Sequence, residues 1–182
     1  MVLILVATTE EFNLARKYFS DSNYSIVKTG VGASNVIRTC SAIAASAKEY
    51  KNRKIGLLNI GFCGSNILPK GEVVRISKSF RLVDDNVSFA DYRNPYILSK
   101  EGVPCYTSNS FVTTSDMDEP KVFDMELNYI VAFDNLKHIG AIKIVSDNLS
   151  VEEYENTVAL DNPDIWWKVR KLVDRIHNDV YM

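Results

Sequence analysis

The sequence contains few of the residues that metal sites and disulfide frameworks require. Of its 182 residues, three are cysteine and two are histidine. Cys40, Cys63 and Cys105 are widely spaced and form no CxxC pair, which argues against a disulfide framework or a zinc knuckle and fits a reducing cytosol. His138 and His177 are too few to favour a histidine metal site. We therefore expect a cytoplasmic protein without a bound metal.

Strong net charge and long apolar runs are also missing. A net charge of −2 gives neither a basic field for nucleic acid nor an acidic tail of the kind that indicates disorder. No segment is apolar over the length that a bilayer span needs. The first apolar run, Val2–Ala7, is short, lacks a basic leader and continues into Glu10 and Glu11. It predicts a core strand rather than a signal peptide, so neither nucleic acid nor a membrane is an expected partner.

What the sequence does contain is an alternation of apolar strands and amphipathic helices. With 46% apolar residues the chain is long enough for a sizeable core, and residues 1–182 are predicted to form a single domain. The alternation predicts an α/β sandwich around a mixed, mostly parallel sheet flanked by helices. The predicted strands are Val2–Ala7, Tyr24–Thr29, Ile55–Ile60, Glu72–Ser77, Val103–Thr107 and Ala141–Val145, and helices are predicted after Thr8, after Ser34, from Val122 and from Pro163.

The stretch Leu57–Gly71, LLNIGFCGSNILPKG, organises the rest of the predicted fold. It indicates a buried strand, a tight glycine turn facing a small ligand, and a return into the next strand. Gly61 and Gly64 permit backbone conformations and close approach that a side chain would block. A turn with a purely structural role explains the same pattern.

Acidic residues follow several of the predicted strands. Glu10 and Glu11 open the first helix, Asp124 and Glu126 lie in the first turn of the helix that begins at Val122, and Asp147 ends the last strand. Complementarity with the positive end of a helix explains the first four without a function. Asp147 is the better functional candidate, because ligands of α/β sheets bind where the strands end. A capping role is its alternative.

Two further segments are candidates for ligand or subunit contacts. Phe111, after the strand Val103–Thr107, is either a core residue or an aromatic plate for a flat ligand. Residues Ser79 to Glu101 are predicted to form a long loop with a possible strand. Long loops in compact domains are often functional or lie at a subunit contact.

Six segments taken together resemble one known superfamily. In chain order they are VATTEEF, KTGVGASNV, LNIGFCGSNILPKGEVV, SNSFVTT, VFDMELNYIVA and KIVSDN. The set is similar to the purine nucleoside phosphorylase superfamily and, within it, most similar to the methylthioadenosine/S-adenosylhomocysteine nucleosidases. The resemblance covers nearly the whole chain. It implies a three-layer α/β sandwich of the nucleoside phosphorylase type and an enzyme that hydrolyses the N-glycosidic bond of purine nucleosides.

The resemblance also implies a role for individual residues. Glu11 would hold the attacking water, and Glu126, beside Met125, would accept a hydrogen bond from the ribose 2′-hydroxyl. Asp147 would protonate the five-membered ring of the purine. The other implied contacts are at the base, with Phe111 beneath the purine, the backbone of Val112 at its edge, and Ser146.

The chemistry of the bond explains why such a set is needed. Cleavage develops positive charge on the ribose and negative charge on the departing base, so a proton donor at the base and a carboxylate near the sugar stabilise both ends. Burial of Asp147 would raise its pKa in the direction that a proton donor requires. Neither a metal nor an organic cofactor is needed.

The chain departs from the family pattern at several positions. Phe62 stands where the nucleosidases usually have serine, Asp124 replaces a longer glutamate, and Lys143 replaces an arginine near the site. Similar phosphorylases carry arginine and serine in the turn that here holds Asn59 and Phe62. Because these two residues cannot supply the charge-assisted donors that phosphate favours, water is the expected nucleophile. Tyr154 is a candidate for the aromatic lid after Asp147.

Several functions remain open at this point. The first is hydrolysis of 5′-modified purine nucleosides such as methylthioadenosine or S-adenosylhomocysteine, and its variant is hydrolysis of futalosine. The second is a phosphate-dependent nucleoside phosphorylase, and the third is a non-catalytic nucleoside-binding protein with the same fold. A homodimer is expected, because in the resembling nucleosidases a neighbouring subunit closes the 5′ end of the site. Val87–Tyr92 is the segment expected to do so here.

Overall fold

The structure is a computed structural model that describes residues 2–20, 24–49, 56–82, 95–115, 118–133, 136–155 and 160–181. Its strands, in chain order, are β1 (Val2–Val6), β2 (Tyr24–Lys28), β3 (Gly56–Ser65), β4 (Val73–Arg81), β5 (Tyr96–Ile97), β6 (Val103–Thr107), β7 (Val122–Asp124) and β8 (Lys137–Asp147). Its helices are α1 (Thr9–Tyr18), α2 (Ala33–Glu49), α3 (Leu127–Val131), α4 (Val151–Glu155) and α5 (Pro163–Tyr181).

The strands form one mixed sheet that closes on itself. The order is β2-β1-β3-β7-β6-β4-β5, and β8 pairs with both β3 and β4. The parallel pairs are β1–β2, β1–β3, β3–β8, β4–β6 and β6–β7, whereas β3–β7, β4–β5 and β4–β8 are antiparallel. The strands β3, β8, β4, β6 and β7 therefore form a closed ring. The predicted mixed, mostly parallel sheet with flanking helices is confirmed, and the three-layer stacking stays a prediction.

Apolar faces of the helices cover both faces of the β1–β3 part of the sheet. Alternate side chains of these strands point to opposite sides. Ile4 and Ile60 pack in one cluster with Trp166 and Val173 of α5. Leu3, Leu5 and Leu57 pack in another with Val36 and Cys40 of α2. Cys40 is thus a core residue, as predicted, and each fully buried aliphatic side chain contributes about 1.5–3 kcal/mol to folding.

Strand β3 corrects the predicted glycine turn. The strand continues through Gly61 and Gly64 to Ser65, and every one of its residues is buried. A Cβ on Gly61 would lie 3.1 Å from Glu11 Oε1, and one on Gly64 would lie 2.9 Å from Asp147 Oδ1. Glycine is therefore needed here because acidic side chains pack directly against the strand, and the chain turns only after Ser65.

Strand β7 corrects the predicted start of a helix at Val122. Val122–Asp124 pairs with β6 on one side and with the end of β3 on the other. Helix α3 begins at Leu127, with Glu126 as its N-cap residue. Asp124 therefore ends a strand and does not lie in the first turn of a helix. The final helix does begin at Pro163 as predicted, where the Asp164 N–H donates to Asn162 Oδ1 at 2.9 Å.

The predicted loop from Ser79 to Glu101 is only partly described. Strand β4 continues to Arg81, and the short strand β5 pairs with it. The expected subunit-contact segment Val87–Tyr92 lies outside the described residues. Within the described ranges, none of the helices combines the length and apolar character that crossing a membrane demands.

Candidate active site

A cavity of about 220 Å³ lies where β1, β3, β7 and β8 end. This is the edge of an α/β sheet at which ligands bind. The predicted site residues that line it are Glu11, Phe62, Phe111, Asp124, Met125, Glu126, Ser146 and Asp147. Val112 instead lines a smaller adjoining cavity of about 30 Å³, which shares Phe111 and Met125 with the larger one. The structure therefore brings together acids that are far apart in the sequence.

Glu11 is held by the backbone at the start of α1. Thr8 caps this helix, and its hydroxyl accepts from the Glu11 N–H at 3.1 Å. The Glu11 carboxylate reaches back to accept from the N–H groups of Ala7 at 2.6 Å and Thr8 at 3.0 Å, both on Oε2. Its Oε1 accepts from the Phe62 N–H at 2.6 Å. Glu11 thus completes a capping box and also ties the end of β1 to β3.

Asp124 and Lys143 form a buried ion pair beside the cavity. Lys143 Nζ lies 2.6 Å from Asp124 Oδ2, and both side chains are essentially inaccessible to solvent. Asp124 also accepts from the Thr107 hydroxyl at 2.6 Å and the Leu127 N–H at 2.9 Å. Burial, the largest single influence, lowers the pKa of Lys143, but the charges of Asp124 and other nearby acidic groups, together with the hydrogen bond to Asp124, hold that pKa above its ordinary value. Lys143 is therefore protonated.

Glu126 has far fewer partners. Its Oε1 accepts from the Gly32 N–H at 2.9 Å, in the turn that precedes α2. The carboxyl is 7% exposed, and burial, followed by the nearby Asp124 charge, raises its pKa to about 7. Lys143 acts in the opposite direction. Glu126 therefore exchanges its proton near neutral pH.

Asp147 ends β8 and is fully buried. Its Oδ2 lies 2.7 Å from the Ser146 hydroxyl, and its Oδ1 accepts from the Leu149 N–H at 3.0 Å. The Ser146 hydroxyl also lies 3.0 Å from the Cys63 carbonyl oxygen. Burial raises the pKa of Asp147 despite these hydrogen bonds. This shift favours the neutral acid, which is the form that can donate a proton.

Aromatic rings form part of the cavity wall. Phe111 and Tyr154 have ring centroids 5.5 Å apart and planes tilted by 60°. Both rings, together with Phe62, line the cavity. A flat apolar surface of this kind is suited to stacking against a heteroaromatic base. Of the two interpretations of Phe111, the structure therefore favours a position in the cavity wall over one in the core.

The sequence did not reveal two partners of the site. One is the pairing of Lys143 with Asp124, for which the signal is a single charge within the apolar run AIKIV, since a buried lysine requires a partner. The other is the Gly32 N–H, which donates to Glu126. It is a backbone group, so the residue type does not indicate the contact. Among the described residues, no group of three or more histidine, cysteine or acidic side chains is arranged to hold a metal ion.

Comparison with known proteins shows the fold. No family model and no curated protein matches the sequence. Among solved structures, the methylthioadenosine/S-adenosylhomocysteine nucleosidase of Helicobacter pylori is 12% identical, with a TM-score of 0.68 over 96% of this chain and 97% of that chain. The S-adenosylhomocysteine nucleosidase of Streptococcus pyogenes is 14% identical, with a TM-score of 0.68 over 100% and 97%. The futalosine hydrolase of Helicobacter pylori is 13% identical, with a TM-score of 0.65 over 96% and 97%.

These likenesses place the chain among proteins with the nucleosidase fold. The resemblance predicted from six sequence segments is thus confirmed for the fold over nearly the entire chain. The roles of the individual site residues stay predictions.

Proposed function

We propose that this protein is a purine nucleosidase, which hydrolyses the N-glycosidic bond and releases the free base. Its substrates would be 5′-modified nucleosides such as methylthioadenosine or S-adenosylhomocysteine. The observation that carries the proposal is that Glu126 and Asp147, two buried carboxyls with raised pKa values, line one cavity with the aromatic ring of Phe111. The names of the nucleosidases that share the fold support the same class of substrate.

At the base, Asp147 is the proton donor in this mechanism. Its raised pKa favours the protonated carboxyl, and its burial removes water that would compete for the proton. Transfer of the proton to the purine ring turns the base into a neutral leaving group. General acid catalysis of this kind contributes about 10²–10⁴-fold in rate.

At the sugar, Glu126 and Met125 contact the ribose. The ionised Glu126 carboxylate stabilises the positive charge that develops as the bond to the base breaks. Met125 supplies a partly exposed apolar surface on the same cavity wall. Glu126 serves the sugar and Asp147 the base, so each end of the breaking bond has its own carboxyl group.

Water rather than phosphate is the proposed nucleophile. No arginine or lysine lines the cavity in the part of the chain that the structure describes. Lys143 is close by, but it forms an ion pair with Asp124. A phosphate ion would meet carboxylates in place of the cationic donors that it favours.

Domain architecture, location and oligomeric state are also part of what we propose. We propose a single domain with three layers over residues 1–182, acting in the cytoplasm as a homodimer. Val31 supports the dimer, because this apolar residue lines the cavity and is nonetheless 44% exposed. Light scattering at two protein concentrations would test it, and a monomer at both would count against it.

The activity is tested by incubating the protein with a panel of purine nucleosides and measuring free base. The panel contains methylthioadenosine, S-adenosylhomocysteine, adenosine and futalosine, each with and without phosphate. We expect release of adenine from the 5′-modified substrates at the same rate in both buffers. A rate that requires phosphate would indicate a phosphorylase, and binding without release would indicate a nucleoside-binding protein. Cleavage of futalosine alone would shift the proposal to a futalosine hydrolase.

A further inference from the structure

The turn between β3 and β4 contacts the segment that follows β8. Residues 66–72 connect the two strands, and none of them lines the cavity. The side-chain amide of Asn148 donates to the Ser65 carbonyl oxygen at 3.1 Å and to the Leu68 carbonyl oxygen at 2.8 Å. An asparagine amide has two N–H donors. The amide therefore fastens this turn to the residue that directly follows Asp147.

A second set of contacts joins the same turn to α4. Lys70 Nζ donates to the Glu153 carbonyl oxygen at 2.8 Å, and the Glu153 carboxylate accepts from the Asn148 N–H at 2.8 Å. The next residue, Tyr154, lines the cavity, and its ring lies 5.5 Å from that of Phe111. The contacts around Asn148 therefore extend from the end of β8 to the aromatic wall.

Leu149 has an unusual backbone conformation. Its φ of 63° lies in the left-handed region, and no other described residue apart from glycine has a positive φ. A bulky side chain disfavours this conformation, so the surrounding contacts must hold it. The Leu149 side chain packs against the cluster that contains Phe80, Tyr106 and Phe123. Its N–H donates to Asp147 Oδ1 at 3.0 Å, so the strained backbone is bonded directly to the carboxyl of the proposed proton donor.

The strand register changes at the same place. The pairing of β3 with β8 shifts between Cys63 and Gly64, so that Ser146 is an extra residue on β8. Irregularities of this kind re-aim side chains and are common beside active sites. A Cβ on Gly64 would lie 2.9 Å from Asp147 Oδ1 and 3.1 Å from Leu149 Cδ2. The carboxyl is therefore confined on the β3 side, and its position depends on the segment that follows it.

We propose that Asn148 is a positioning residue: by fastening the turn after β3 to the segment after β8, it holds Leu149 in its left-handed conformation and so fixes the Asp147 carboxyl. This inference rests on the proposed function, in which Asp147 protonates the departing base. Asn148 does not line the cavity, so it acts on the reaction only through Asp147.

Loss of the Asn148 amide should slow the reaction without weakening substrate binding. A proton donor must lie within hydrogen-bond reach of its acceptor. Asn148→Ala should therefore lower kcat by about 10- to 100-fold, the size of effect that a small misplacement of a catalytic group produces. KM should stay within about twofold, because no contact with the substrate is lost. Asn148 is exposed, so the core should remain intact.

Asn66 offers a matched control in the same turn. Its side chain also bonds to two backbone groups, donating to the Glu119 carbonyl oxygen at 3.0 Å and accepting from the Lys121 N–H at 2.9 Å. These bonds fasten the turn to the segment before β7. Asn66→Ala should therefore destabilise the protein to urea about as much as Asn148→Ala does, yet leave kcat close to that of the wild type. Equal losses of kcat in the two variants would overturn the proposal.

A double-mutant cycle tests whether Asn148 acts through Asp147. Asp147→Asn cannot donate a proton, so the exact placement of this side chain no longer limits the rate. In that background Asn148→Ala should lower kcat by no more than about twofold. The residual turnover is measured as free adenine at high enzyme concentration. A loss in that background as large as in the wild type would overturn the proposal, because Asn148 would then act by another route.

Two substitutions at Leu149 separate its backbone from its side chain. Asparagine accepts the left-handed conformation more readily than most residues, whereas valine, which is branched at Cβ, opposes it. Leu149→Asn should therefore keep most of the activity, and Leu149→Val should lose about tenfold or more. The reverse order would overturn the proposal, since Leu149 would then act through apolar packing.

The wild type separates failure of this inference from failure of the proposed function. If the wild type releases base and Asn148→Ala releases it equally fast, this inference alone is wrong. If the wild type releases no base from any nucleoside tested, the proposed function is wrong, and this inference with it.

Discussion

Two neighbouring regions of the molecule bury carboxyl groups in opposite ways. In the ion-pair cluster, Asp124 meets Lys143, the Thr107 hydroxyl and the Leu127 N–H. The cavity acids, Glu126 and Asp147, are buried to a similar extent but have only neutral donors. Burial raises the pKa of both cavity acids. The comparison teaches that the cation is in direct contact with Asp124 alone, whereas the two acids without such a contact among the described residues have raised pKa values.

The largest expected effect comes from removing the proton of a cavity acid. Asp147→Asn should lower kcat by about 10²–10⁴-fold, because an amide cannot protonate the departing base. The fold should survive, since the amide oxygen can still accept from the Leu149 N–H and its NH₂ can donate to Ser146. Release of free adenine measures the effect, and circular dichroism verifies folding. Wild-type turnover in this variant would remove Asp147 from the mechanism.

The next effect comes from breaking the ion-pair cluster. Asp124→Asn leaves the buried Lys143 charge without a carboxylate, which should lower the free energy of unfolding by about 3–5 kcal/mol. Urea unfolding at pH 7 measures the change. The matched control is Asp161→Asn, which breaks the exposed pair with Lys17 and should barely move the midpoint. Equal shifts of the urea midpoint in the two variants would contradict the distinction between the buried pair and the exposed pair.

The smallest effect is a dependence of stability on pH. The pKa of Glu126 is raised from 4.5 to about 7 in the folded state. Its stabilising contribution is therefore complete below about pH 4.5 and is lost as pH rises through about 7. Glu126→Gln removes this loss, so its Tm relative to the wild type should be higher at pH 8 than at pH 5, by a few degrees. A difference that is the same at both pH values would show that burial does not perturb Glu126.

Much of the scaffold could be predicted because its signals are local. The apolar runs located β1, β2 and β8, and the last of these placed Asp147 at a strand end. The signal for β7 failed, since three residues are too few for a periodicity and the strand is defined by pairing with distant β6 and β3. The prediction from VFDMELNYIVA therefore placed the start of the helix five residues too early.

The residues that line the cavity were easier to predict than the contacts that they make. Gly61 and Gly64 predicted a turn, because glycine is common in turns. The acids that pack against these glycines lie on α1 and β8, far away in the sequence, so the local pattern could not show why glycine is needed. That Glu11 accepts from three backbone N–H groups and Glu126 from one depends on where α1 meets β3 and where Gly32 meets α3. Residue types cannot reveal such contacts, so the sequence identified the acids that line the cavity but not their hydrogen-bond partners.

The closed ring of strands also governs when the cavity can form during synthesis. Cys63 on β3 and Ser146 on β8 lie 83 residues apart in the chain, yet they are hydrogen-bonded in the cavity wall. A ribosome must therefore translate β8 before β3 gains its central neighbour, and until then a long apolar strand edge stays uncovered. Nascent chains that stop short of β8 are therefore expected to be prone to aggregate.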